Sequence, residues 1–265
     1  MTIAISSRSP EREEAGALPG FAPLRAPLPL GQGSDDIALF VDFDGTLVEI
    51  ADHPEDVIVP TGLPKLLLAL NEKLEGRLAL VSGRALKTLD RLLDGVNVAM
   101  AGSHGGEFRP AGTNETQALA APLPQPICRA LQDFAQEQGG LVFEAKPFSA
   151  AIHYRDRPAL GDTIYAFATA LAADNGLIVK HGKMVVELTM PGSDKGHAVT
   201  RFMQQAPFLG SRPLFLGDDV TDEDAFAALA PFGGSGILVG PPRETCATWR
   251  LEDVGAVHRW LEDAI

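Results

Sequence analysis

The sequence predicts an α/β fold: a doubly wound, mainly parallel, Rossmann-like sheet into which a small α/β cap domain, built on an antiparallel sheet, is inserted. Three observations predict it. Short continuous apolar runs alternate with stretches of helical spacing up to about residue 104 and again after 190. Strands apolar on both faces belong to parallel sheets covered by helices on each side. Between these regions the pattern changes to two close pairs of strand-like runs, each with a helix nearby, which is the mark of a small antiparallel sheet. The length, 265 residues, is long for one ordinary domain and short for two.

The elements follow in order. Residues 1–35 hold Pro10, Pro19, Pro23, Pro27 and Pro29 and show no period, so a flexible tail is expected. Residues 37–41 (IALFV) and 78–81 (LALV) are buried strands, and 96–101 is a third. Helical spacing covers 63–74, with Pro64 in the first turn, and 86–93. A Pro-rich connection at 121–126 leads to a helix at 127–137, strands at 141–145 and 150–154, a long helix at 159–175, and strands at 177–180 and 185–188 joined through His181, Gly182 and Lys183. The first pattern then resumes: a helix at 195–205 with Ser193 or Asp194 as N-cap, a strand at 214–216, a helix at 223–229, a strand at 236–239 and a helix at 256–263. The expected division is a tail at 1–35, a core at 36–104 plus 190–265, and a cap at 105–189.

Composition narrows the function classes. Lys and Arg number 22 against 35 Asp and Glu, a formal charge of −13, which argues against nucleic acid and anionic membranes as partners. A small anionic substrate stays open, because a bound cation reverses the local field. Cys128 and Cys246 alone make neither a disulfide framework nor a cysteine-built zinc site. The sequence has no apolar run of membrane-spanning length and no signal-peptide pattern, so a cytoplasmic protein is expected. The oligomeric state stays open, with a monomer the simpler expectation.

Four features stand at the C-terminal ends of the expected core strands, the edge at which open α/β sheets bind ligands. They are Asp42-Phe43-Asp44-Gly45-Thr46, Ser82-Gly83-Arg84, Lys195 at a helix start, and Gly217-Asp218-Asp219-Val220-Thr221-Asp222-Glu223. Two carboxylate clusters on one edge repel unless a cation holds them, and oxygen ligands without a His or Cys cluster point to a hard ion, Mg²⁺. A carboxylate can attack phosphorus to form an acyl phosphate. Mg²⁺ and Lys195 would offset the mutual repulsion, while the Ser82 hydroxyl and the N-terminus of the next helix would donate to phosphate oxygens. A second carboxyl two residues on can protonate the leaving oxygen and then activate water.

The set DFDGTL, VSGR, DKG and GDDVTDED resembles the four motifs of the haloacid-dehalogenase-like phosphatase superfamily. The resemblance implies Asp42 as nucleophile and Asp44 as general acid/base. It implies phosphate binding by Ser82, Gly83 and Lys195, with Thr46 steadying the nucleophile loop. Mg²⁺ would be held by the Asp42 side chain, the Asp44 carbonyl and the Asp218 side chain, with Asp219 and Asp222 as auxiliary acidic residues. More narrowly, AGSHGGEF, the segment around AIHYR, and GKMVVELTMPGSDKG resemble the trehalose-6-phosphate phosphatases, whose cap lies at the same place in the chain. That likeness implies a small-molecule sugar phosphate as substrate and assigns its recognition to Glu107, Arg155, Lys183 and Glu187.

Competing readings are definite. A sucrose-phosphate or mannosyl-phosphoglycerate phosphatase shares the core and a related cap. A non-catalytic phospho-aspartate receiver shares the acidic cluster and the lysine but has no reason to carry so long an insertion. Asp224 reads as a helix-first-turn acid, and the six histidines show no ligand spacing.

Overall fold

The computed structural model describes residues 24–30, 36–51, 53, 55–119, 121–182, 184–192 and 194–265. In chain order the elements are β1 (Ile37–Val41), α1 (Leu63–Lys73), β2 (Leu78–Val81), α2 (Leu86–Leu92), β3 (Ala99–Gly102), β4 (Glu107–Arg109) and β5 (Gln117–Ala118). Then come α3 (Gln125–Glu137), β6 (Val142–Ala145), β7 (Ser149–His153), α4 (Gly161–Asn175), β8 (Ile178–Gly182) and β9 (Val185–Thr189). Last are α5 (Lys195–Met203), β10 (Arg212–Gly217), α6 (Glu223–Ala228), β11 (Ser235–Val239), β12 (Trp249–Leu251) and α7 (Val254–Glu262).

The larger sheet has the order β12-β11-β10-β1-β2-β3-β4-β5. Neighbours from β12 to β3 run parallel, and β4 and β5 add antiparallel. The continuous apolar strands explain this layering. In β1, Ile37, Leu39 and Val41 pack in one layer with Leu67 of α1, Leu89 of α2 and Leu261 of α7. Ala38 and Phe40 pack in the other with Phe202 of α5 and Phe226 of α6. Each fully buried side chain of this size stabilises the fold by about 1.5–3 kcal/mol.

From β1 the chain winds outward through β2 and β3, then returns on the other side of β1 as β10, β11 and β12. The winding reverses between β1 and β10, so the loops leaving their C-terminal ends diverge and open a crevice.

The second sheet, β6-β7-β9-β8, is antiparallel throughout. Ile127 and Leu131 of α3 and Ile164 and Ala168 of α4 cover one face, against Ala150, Ile152, Val186 and Leu188. Period-two alternation then aims the intervening positions at the opposite face. Glu144, Ala151, Glu187 and Lys180 are register partners across all four strands and form a polar row there.

Three sequence expectations are corrected. β4 and β5 fall within the expected cap segment but extend the larger sheet, because Phe108 is fully buried with its ring 4.3 Å from that of Phe202. The first two strands of the expected cap segment thus belong to the larger sheet, and the second sheet opens with Val142–Ala145, close to the expected 141–145. Part of the expected tail is packed: Leu30 is buried, Trp260 Nε1 donates to the Leu28 carbonyl at 3.0 Å, and Arg25 bridges Trp249. Prolines hid these contacts by removing any period. Residues 1–23 and 31–35 lie outside the described residues. Finally, His181 and Gly182 continue β8 rather than forming the turn. Among the described residues no helix is long and apolar enough to cross a membrane.

Candidate active site

The crevice gathers residues far apart in sequence. Val41 of β1 registers with Leu216 of β10, and the Asp42 N–H donates to the Leu216 carbonyl at 2.9 Å. Asp42 and Asp218 therefore leave adjacent strands at the same level. Gly45, in the left-handed region at φ +76, lets the loop after β1 turn tightly against Asp218, where any Cβ would overlap the Asp218 carboxylate.

Lys195 opens α5 behind an Asp194 N-cap that accepts from the His197 N–H. Its ammonium is buried, 2.9 Å from Asp42 Oδ1 and 2.7 Å from Asp222 Oδ1. Burial alone would favour the neutral amine, but Asp222 and Asp42 outweigh it and hold Lys195 charged. Burial pushes the Asp42 carboxyl well above the usual range, with Asp222 and Asp218 adding to the rise against the pull of Lys195. Burial raises Asp222 as well, and pushes Asp218 up to about 7, with Asp222 and Asp219 reinforcing the latter.

Carboxylate oxygens of Asp42, Asp218 and Asp222 lie within 4.8 Å of one another. Asp218 Oδ1 is buried without a hydrogen-bond partner. One lysine against three crowded carboxylates leaves negative charge uncompensated, and this oxygen set with an orphaned acceptor fits a hard divalent cation. Asp219 is turned elsewhere: its Oδ1 accepts from the Val220 N–H, and its own N–H donates to Asp222 Oδ2, a reciprocal helix cap. Of the two auxiliary acids only Asp222 enters the cluster.

Ser82 is buried after β2, and its Oγ accepts from the Arg84 N–H at 3.1 Å. Gly83 has no room for a side chain, since a Cβ would sit 2.6 Å from His104 Cε1. Thr46 is fully buried, with its hydroxyl oxygen lacking a partner. Of the N-terminal donors of the helix after Ser82 that the sequence offers to phosphate, the first is already engaged. The Leu86 N–H that opens α2 is taken by Glu107 Oε2 at 2.9 Å. That carboxylate also accepts from the Ser103 hydroxyl at 2.9 Å, so Glu107 lies on β4 of the larger sheet and holds the 103–105 turn.

The two sheets face each other across a cleft of about 950 Å³. Asp44, Gly83, Arg84, Ser103 and His104 line one wall, and Glu144, Lys146, His153 and Arg155 line the other. Glu187 sits behind, accepting from the Ser149 hydroxyl at 2.6 Å and from Lys146 Nζ at 3.1 Å. Burial works against its ionisation, but Lys146 and Ser149 hold the carboxyl at about 2. His104 Nε2 lies 3.9 Å from Glu187, and burial pushes the imidazole down to about 3, so it is neutral. Arg155 is exposed after β7. Lys183 lies outside the described residues.

Sequence reasoning missed Glu144 and Lys146. Alternation in β6 was the available signal, since Phe143 packs towards the helices and Glu144 must then face away. It also gave no role to Arg243, which donates to the Asp219 carbonyl at 2.8 Å and pairs with Glu223, bracing the loop after β10. No local signal marks that residue.

Comparison with known proteins bears on this geometry. A family model described as trehalose-phosphatase matches residues 40–254. The chain is 38% identical over 227 residues to the trehalose-6-phosphate phosphatase of Escherichia coli K12, covering 85% of each chain. It is 40% identical over 212 residues to a probable trehalose-phosphate phosphatase of Sinorhizobium fredii, covering 78% of this chain and 79% of that one. The solved C-terminal domain of the C. albicans trehalose-6-phosphate phosphatase superposes with a TM-score of 0.74 at 25% identity, covering 87% of this chain and 92% of that one. A haloacid dehalogenase-like hydrolase from Bacteroides thetaiotaomicron superposes at 0.63 with 16% identity, a likeness of fold.

Proposed function

The chain belongs to the trehalose-phosphatase family, and on that premise we propose that it hydrolyses trehalose 6-phosphate to trehalose and phosphate through an aspartyl phosphate on Asp42, with Mg²⁺ as cofactor. The observation that carries the reading is the cluster of Lys195, Asp42, Asp218 and Asp222 at the switch point, with Asp44, two residues after Asp42, on the wall of a cleft large enough for a disaccharide.

Asp42 attacks phosphorus from the end of β1. Asp44 protonates the departing sugar oxygen and later takes a proton from water. Ser82 donates to a phosphate oxygen, and Lys195 offsets charge at the attacking carboxylate. The side chains of Asp42 and Asp218, with the Asp44 carbonyl, would hold Mg²⁺. When bound, the ion offsets the repulsion between carboxylate and phosphate. Glu144, Lys146, Glu187 and Arg155 offer hydrogen bonds to sugar hydroxyls, and a site built to bond hydroxyls rejects esters that lack them. A sugar phosphate is too highly charged to cross a bilayer, so this reading puts the enzyme in the cytoplasm with the source of its substrate.

The direct test is phosphate release from trehalose 6-phosphate beside sucrose 6-phosphate and other sugar phosphates, with and without chelator. Release is expected on the trehalose ester above all, lost in EDTA and restored by Mg²⁺. Equal rates on every sugar phosphate would remove the trehalose assignment. Asp218→Ala is expected to abolish the Mg²⁺ response, and an unchanged metal titration would remove its ligand role.

A second expected result separates sugar reading from support of the fold. Glu187→Ala, or Lys146→Ala, should lower kcat/KM on trehalose 6-phosphate by roughly 10- to 100-fold, as for loss of one or two charge-assisted hydrogen bonds. On 4-nitrophenyl phosphate the change should stay within about threefold. Equal losses on both would show that the two residues only support the fold.

A further inference from the structure

Arg84 carries no role so far beyond its place after Ser82. Its guanidinium grips Asp44 with two parallel bonds, Nε to Oδ2 and Nη2 to Oδ1, both 2.7 Å. Such a fork fixes the plane of a carboxylate as well as its position. Arg84 is itself held. Its side chain is 12% exposed, the guanidinium carbon lies 5.8 Å from the centre of the Phe43 ring, and the backbone N–H is tied to Ser82 Oγ. Asp44 is the more open partner, with its side chain 34% exposed on the wall of the cleft. Without the fork that carboxylate would share its time among several rotamers.

We propose that Arg84 is a positioning residue, holding Asp44 in the orientation from which it protonates the leaving sugar oxygen. The proposal rests on the reading of Asp44 as general acid/base. The fork occupies one acceptor site on each carboxylate oxygen and leaves the other on each, so the carboxyl can still exchange a proton towards the cleft. Arg84 also joins the loop after β2 to the loop after β1. The residue that follows the phosphate-binding Ser82 and Gly83 thereby sets where the acid stands. A displacement of about 1 Å at such a group costs on the order of 100-fold in rate. Lysine, a point charge without a fork, cannot fix the plane.

The test compares Arg84→Met, Arg84→Lys, Asp44→Asn and the Asp44→Asn/Arg84→Met double variant. Two esters are used: trehalose 6-phosphate, whose alkoxide needs a proton to leave, and 4-nitrophenyl phosphate, whose phenolate does not. The quantity read is kcat/KM, which covers the steps up to formation of the aspartyl phosphate and so isolates the leaving step. Arg84→Met should lose about 100-fold on the sugar ester and under about threefold on the nitrophenyl ester, with Arg84→Lys restoring only part. In the double variant the Arg84 change should add under about threefold to the Asp44→Asn loss, because the two act as one unit. Equal losses on both esters would overturn the proposal, as would full multiplication of the two losses in the double variant. Asp44→Asn striking both esters alike would take down the acid–base reading, and the proposal with it. Arg84→Lys keeps charge and length, and serves if Arg84→Met does not fold.

Discussion

Asp42→Asn should abolish turnover, by at least about 10⁴-fold in kcat, because an amide cannot form the acyl phosphate on which both half-reactions depend. The same change should leave the thermal midpoint unchanged or raise it. In the native protein the Asp42 carboxyl is buried and crowded by Asp222 and Asp218, so its negative charge is costly despite Lys195. Asparagine has the same shape without that charge, and Lys195 keeps Asp222 at 2.7 Å. The measurements are steady-state phosphate release, thermal unfolding, and acid quench with labelled substrate. The quench should trap label on the native protein and none on the variant. Residual activity within tenfold of the native enzyme would move the nucleophile elsewhere.

Lys195→Met should damage both rate and fold, and the contrast with Asp42→Asn makes the pair informative. Removing the ammonium leaves the buried Asp42 and Asp222 without their shared cation, beside Asp218. Breaking a buried ion pair from one side costs about 3–5 kcal/mol. For a chain of this size that lowers the thermal midpoint by on the order of 10 °C. The rate should fall by about 10³-fold, the scale of a lost preorganised charge at the reacting group.

The deficit should depend on pH with a definite sign. Without Lys195 the Asp42 and Asp222 carboxyls rise further above their unfolded values, so the folded state binds more protons than the unfolded one. The variant therefore recovers stability as pH falls, and its midpoint should lie nearer the native one at pH 5 than at pH 8 in the presence of chelator. A midpoint within 2–3 °C of native at pH 8, a shift of only about 1 kcal/mol, would show that the cluster does not depend on this lysine.

The core motifs were legible because their chemistry is local to the chain. IALFV has apolar side chains on both faces, as a parallel strand covered by helices on each side buries them, and the acids that follow then emerge at its C-terminal end. LALV with Ser82 and LFL with Asp218 repeat the logic. The short edges of the larger sheet were not legible. β5 has two residues and β4 and β12 three each, too short to show a period, and Phe108 is drawn in by a ring on a distant helix. Glu107 illustrates the same limit. The resemblance to the trehalose-6-phosphate phosphatases implied sugar recognition, while the hydrogen bonds that occupy it come from Leu86 and Ser103 across the turn. Glu144 and Lys146 were readable in principle from the alternation of β6, since Phe143 takes the covered face.

By itself the sequence determined the strand–acid units, the long interruption between them and the excess of negative charge, because hydrophobic period and backbone reach act over a few residues. Only the tertiary structure decided which charges meet. Winding that reverses at β1 brings Asp218 and Lys195 to Asp42, places Arg84 on Asp44, and turns the polar row of the second sheet towards the cleft. Coulomb forces and hydrogen bonds act across the few ångströms that separate groups in space, and folding sets those distances by packing elements that the chain keeps far apart.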